Sequence, residues 1–156
     1  MLRVERRADS NSSPVDTLLL AYDERKKSRN RVATERGLEV AIVLPRGSTL
    51  KDGDLLAADS GEVLIVRAAP EKVSEVRATS ALGLTRAAYH LGNRHVALQV
   101  LAECLRYQHD HVLDEMVVGL GLSVVVTIAP FEPEGGAYGG HSHAHEHDHV
   151  RLRRLR

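Results

Sequence analysis

A change of hydrophobic rhythm at Pro70 constrains this chain more than any other feature. From Asp16 up to that point, apolar residues come in short runs, Thr17 to Tyr22, Leu38 to Leu44 and Glu62 to Val66. Between them stand Glu35-Arg36-Gly37, Pro45-Arg46-Gly47, Lys51-Asp52-Gly53-Asp54 and Asp59-Ser60-Gly61. Gly and Asp tolerate the backbone angles a reversal needs, so residues 16–70 are predicted to form a small all-β domain. Beyond Pro70 the period lengthens. Val73 to Ala78 fits a strand, and Leu84, Ala87, Ala88 and Leu91 then fall at i, i+3, i+4 and i+7, the stripe of one helix, with Thr79 or Ser80 to open it and Gly92 to close it. His95 to Leu101 alternates, placing Val96, Leu98 and Val100 on a core face and His95 on the other. A short strand over Cys104 to Gln108 precedes a second helix, capped by Asp110 and striped by Leu113, Met116, Val117 and Leu120. Ser123 to Ile128 closes the set as a β-branched strand.

The order β-α-β-β-α-β over residues 71–131 is that of the ferredoxin-like split motif, an antiparallel sheet with both helices on one face and the other face open for a partner. The chain is therefore expected to be α+β, an all-β domain followed by a ferredoxin-like one. Residues 1–15 are expected to be a flexible N-terminus. Residues 132–156, aperiodic and rich in Gly, His and Glu, are expected to be a disordered His-rich tail.

Composition narrows the function. In 156 residues, Lys plus Arg equals Asp plus Glu at 21 each, so no overall basic field exists to attract nucleic acid. The basic run Arg25 to Arg31 has no interleaved aromatic residues and reads as a solvated strand or loop. One cysteine, Cys104, excludes both an intrachain disulfide and a Cys-rich zinc fold, and no apolar stretch is long enough to span a membrane. A cytoplasmic protein is expected. G-x-S-x-G, the P-loop and G-x-G-x-x-G are all missing from the sequence, which argues against an enzyme.

Histidine is over-represented, with nine residues. His141, His143, His145, His147 and His149 alternate with Ser, Ala, Glu and Asp, a dense set of donors for borderline divalent ions and unlike the unbroken run of an expression tag. In His109-Asp110-His111 the two imidazoles can address one ion from one side of an extended segment while Asp110 caps the helix. The same spacing fits two surface histidines beside a helix start, which is the commoner case. His95, off the core face, is either ordinary surface or part of an interface where two copies meet about a two-fold and share an ion. His90, within the first helix, is read as ordinary.

The segments Lys27-Ser28-Arg29, Leu44-Pro45-Arg46-Gly47 and Asp52-Gly53-Asp54, then Leu91-Gly92-Asn93-Arg94-His95 and Leu105 to Leu113, resemble the urease accessory protein UreE family. The resemblance runs from about Asp16 to Pro130, and the second-half segments carry it most specifically. It implies a homodimeric nickel metallochaperone, with zinc or copper able to substitute, whose partners are the urease maturation GTPase and apo-urease. His95 falls at the family's shared interfacial histidine. His109 and His111 fall at two that some members replace. Two other classes compete: a His-rich storage or detoxification protein for divalent metals, and a small metalloenzyme.

Overall fold

The computed structural model describes residues 1–136 and forms two sheets. The first is six-stranded, in the order β2-β6-β5-β1-β4-β3, built from β1 (Leu2–Arg7), β2 (Asp16–Leu20), β3 (Arg29–Ala33), β4 (Glu39–Val43), β5 (Leu55–Ala58) and β6 (Val63–Ala68). A single helical turn, α1 (Tyr22–Arg25), follows β2. Beyond β3 the Glu35 N–H donates to the Thr17 carbonyl at 2.9 Å, so the two edge strands are drawn toward each other and the sheet curls around its core. That core is aliphatic, with Val4, Leu18, Val40, Leu50, Leu56, Leu64 and Val66 fully buried.

The N-terminus corrects the sequence reading. Far from being flexible, Leu2–Arg7 is an inner strand, parallel to β4 and antiparallel to β5. Its period-two pattern has only two apolar members, Leu2 and Val4, and charges fill the outward positions, which hid the strand among arginines. Those charges are paired across the surface, Arg3 with Glu5 and Arg7 with Asp54.

The second sheet comprises β7 (Pro70–Arg77), β8 (Gln99–Val100), β9 (Cys104–Gln108) and β10 (Ser123–Pro130) in the order β10-β7-β9-β8, every neighbouring pair antiparallel. α2 (Ala81–Asn93) joins β7 to β8, and α3 (His111–Gly119) joins β9 to β10. Each begins where a side chain satisfies free N–H groups: the Ser80 hydroxyl accepts from Gly83, and the Asp110 carboxylate accepts from Val112 and Leu113. Ala87 and Leu91 of α2 and Val117 of α3 are buried against Val76, Leu105 and Tyr107 of the sheet, so the two helical stripes do the packing their spacing implied. At Gly83 even a Cβ would stand 2.9 Å from the Ala78 Cβ, which seats the first turn of α2 tightly on the end of β7.

The opposite sheet face is not wholly open, as the sequence reading expected. Tyr22 of α1 lies there, its N–H donating to Glu71 at 2.8 Å and its ring edge-on to the buried Phe131 at 5.4 Å. After β10 the chain crosses to the far edge, where Glu132 N–H donates to the Gln99 amide oxygen at 3.2 Å and Glu134 N–H donates to the Leu98 carbonyl at 2.8 Å.

Arg25 joins the two halves. It is the first residue of the basic run read as solvated, yet it is 1% exposed. Its guanidinium donates to the Leu20 and Leu50 carbonyls of the first half and, in the second, to the Phe131 carbonyl and to Glu132 at 3.0 Å. The remaining cations of the run are exposed.

Replacing Arg25 with Met keeps the aliphatic stem but strands three carbonyls and a carboxylate. The expected cost is about 3 kcal/mol, read from the denaturant midpoint of unfolding. Glu132→Gln, at a more exposed site, should cost clearly less; equal costs would show that the guanidinium is not the joint. On the uncovered part of the second sheet, Arg106, with Arg77 beyond it, holds the Glu75 carboxyl below the usual carboxylate range despite its burial. A depressed folded value means stability present above the unfolded range and lost as pH falls through the folded one. The stability gap between wild type and Glu75→Gln should therefore be widest at neutral pH and shrink in acid.

Candidate metal centre

The described histidines sit in two places, at the end of α2 and at the start of α3. The spacing led us to expect His95 at the head of a strand; instead it ends a helix. α2 continues to Asn93, Arg94 follows as its C-cap, and His95 turns the chain with φ +56°, its N–H donating to the Gly92 carbonyl at 3.0 Å. Among the described residues no other non-glycine has a positive φ. Val96 and Leu98 pack on the core as their alternation implied, but Val100, expected on the same face, is exposed, and pairing begins only at Gln99 because the turn uses up Arg94 and His95. The His95 side chain is exposed. His90, one helical turn earlier, is half-buried and edge-on to Tyr89 at 5.3 Å.

At the other place, Asp110 caps α3 as expected, and the two flanking imidazoles differ sharply. His111 is exposed in the first turn of α3. His109 turns inward: its Nδ1 lies 3.1 Å from the Ser74 hydroxyl and 3.3 Å from Asp114 Oδ2. The Tyr107 hydroxyl donates to the other Asp114 oxygen at 2.6 Å. Burial, reinforced by the Asp114 charge, pushes the Tyr107 phenol far above its ordinary range, so it acts as a neutral donor. Ser74, Tyr107 and Asp114 were not singled out in the sequence. Strand register is the signal that finds them, because Ser74 pairs with Tyr107 across β7 and β9, and His109 continues the same side of β9 two residues on.

Among the described residues no three His, Cys, Asp or Glu side chains gather closely enough to hold an ion. One chain therefore presents separate donors: His95 on a turn, His109 half-buried in a polar network, and His111 exposed. His141, His143, His145, His147 and His149 lie outside the described residues. Cys104 is buried and its thiol is pushed up by desolvation, which suits an inert side chain.

The family model of the UreE urease accessory protein N-terminal domain matches residues 3–69, and that of the C-terminal domain matches residues 71–151. The chain belongs to the UreE family. Urease accessory protein UreE of Teredinibacter turnerae is 58% identical over 129 residues, covering 81% of this chain and 84% of that protein. The UreE proteins of Alkalilimnicola ehrlichii and Proteus mirabilis are 56% and 52% identical, covering 83% and 84% of this chain and 80% and 81% of theirs. As a UreE chain it is an accessory protein and not an enzyme. The first UreE match begins at residue 3, within β1, in keeping with an N-terminus that is part of the fold.

A left-handed backbone at a residue with a Cβ costs roughly 1–2 kcal/mol, less for His than for β-branched residues. His95→Gly should thus be at least as stable as wild type and about 1 kcal/mol more stable than His95→Ala. Thermal unfolding of the two variants checks this; identical midpoints would remove the strain argument.

Proposed function

We propose that this chain is a nickel metallochaperone that binds nickel as cargo and passes it to the urease maturation machinery. The observation that carries the reading is His95: an exposed imidazole kept where glycine would cost less backbone energy, in a member of a urease accessory family. Strain retained at an exposed donor points to a use for the side chain. A single imidazole holds a divalent ion weakly, so we assign the second donor to His95 of another copy, making the working unit a homodimer with its tightest site on the two-fold. The all-antiparallel order β10-β7-β9-β8 with two crossover helices supports a ferredoxin-like class for the half that bears the site. His109 and His111 are additional donors, and His141 to His149 extend the capacity. Zinc and copper compete, since imidazole favours no one of the three decisively.

The receiving partners on this reading are the maturation GTPase and, through it, apo-urease, in the cytoplasm, where a lone thiol stays reduced. Exposed imidazoles suit cargo better than a closed thiolate cage, because delivery requires release. No helix among the described residues is long and apolar enough to cross a membrane.

Nickel titration followed by native mass spectrometry tests the reading. One ion per dimer should load first, and His95→Gly should abolish that step while leaving the dimer intact. Removing Gly136 to Arg156 should lower total stoichiometry but preserve the first ion; a storage protein would lose nearly all binding on the same truncation. A first site of one ion per monomer that survives His95→Gly would overturn the shared site.

A further inference from the structure

We propose that Asp114, anchored by Tyr107, together with Ser74 holds the His109 imidazole with its proton on Nδ1, so that Nε2 is the only ring nitrogen open to a divalent ion. The tautomer follows from the acceptors around the ring. Nδ1 faces Asp114 Oδ2 at 3.3 Å, and an ionised carboxylate accepts but does not donate. An unprotonated Nδ1 would set a lone pair against that oxygen, whereas Nδ1–H is attracted to it. The Ser74 hydroxyl, 3.1 Å from the same nitrogen, serves as acceptor when its own hydrogen points elsewhere. Asp114 is not free to swing away: its other oxygen accepts from the fully buried Tyr107 hydroxyl at 2.6 Å, and its side chain is 18% exposed.

Three elements thus converge on one ring: Ser74 from β7, Tyr107 from β9 and Asp114 from the first turn of α3. The half-buried imidazole, 27% exposed, keeps its remaining edge for solvent or an ion. This is the arrangement in which a carboxylate behind a histidine fixes ring orientation and raises the basicity of the coordinating nitrogen. Ser74, Tyr107 and Asp114 are positioning residues. They also distinguish His109 from its neighbour His111, which is exposed and has no such backing among the described residues. The step from tautomer to ligand rests on the metallochaperone reading; the tautomer itself does not.

Long-range nitrogen–proton NMR on the metal-free full-length protein reads the tautomer directly. In its neutral form, the His109 ring should show a protonated Nδ1 and an unprotonated Nε2. Asp114→Ala should shift it toward the Nε2–H form that free imidazole prefers. Asp114→Asn, whose amide oxygen still accepts, should retain most of the Nδ1–H form, a rescue that loss of packing alone would not give. Adding zinc as a diamagnetic probe should then move Nε2 of His109, and Asp114→Ala should weaken that step by about 10- to 100-fold. An Nε2–H ring in the wild type, or zinc on Nδ1, overturns the proposal. Zinc that leaves His109 unmoved while Nδ1–H persists overturns its use as a ligand and leaves the orientation standing.

Discussion

One buried guanidinium decides how the two halves of this chain sit together. Arg25 reaches carbonyls on both sides of the boundary and ends on Glu132, beyond the last strand. Buried charge is tolerated when it is paired and hydrogen-bonded, and here four of the five N–H donors of the arginine fork meet acceptors at once, which the three donors of lysine could not do. Around it the contacts are consistent: Asp52 N–H donates to the same Glu132 oxygen at 2.6 Å, and Gln108 and Tyr22 share Glu71. The two small aliphatic cores are thereby fixed against each other without one large apolar interface.

The second half was the more legible in sequence. Stripes at Leu84, Ala87, Ala88 and Leu91 and at Leu113, Met116 and Val117 became helix faces, and Ser80 and Asp110 became caps, because these signals act within a few residues. The first half was harder to read because its strands are short and their partners distant. β1 lies between β5 and β4, more than thirty residues away in sequence, and its arginines obscured a two-residue apolar pattern. Arg25 belongs to the same class: local charge density suggested solvent, whereas its partners at Leu50 and Phe131 are placed by the fold alone.

At the candidate site the sequence named the imidazoles but not their surroundings. His95 was placed off the core correctly and in the wrong backbone state, since nothing in Gly92-Asn93-Arg94-His95 announces that the helix outlasts the glycine and turns at the histidine. His109 and His111 looked equivalent at a spacing of two. They differ because β9 stops at Gln108 and α3 begins at His111, so the alternation that would have aligned them is interrupted between them. What sets His109 apart comes from β7 and from one turn further along α3, contacts that no window around the motif contains.

The bond from Glu134 N–H to the Leu98 carbonyl fastens the chain leaving the last strand to the outer side of β8. Leu98 is three residues from His95, a separation of no more than about 11 Å even along fully extended chain. The anchor therefore fixes Glu134, after which the sequence continues to the C-terminal histidine tract, near the exposed imidazole of the same chain. Tethering of this kind acts as a concentration: donors that would otherwise meet the ion by diffusion are confined to a volume set by the length of chain after the anchor. On the metallochaperone reading, a change in that length would tune how readily the cargo is surrendered without altering a single ligand, which gives a lineage a way to adjust release while the rest of the chain stays the same.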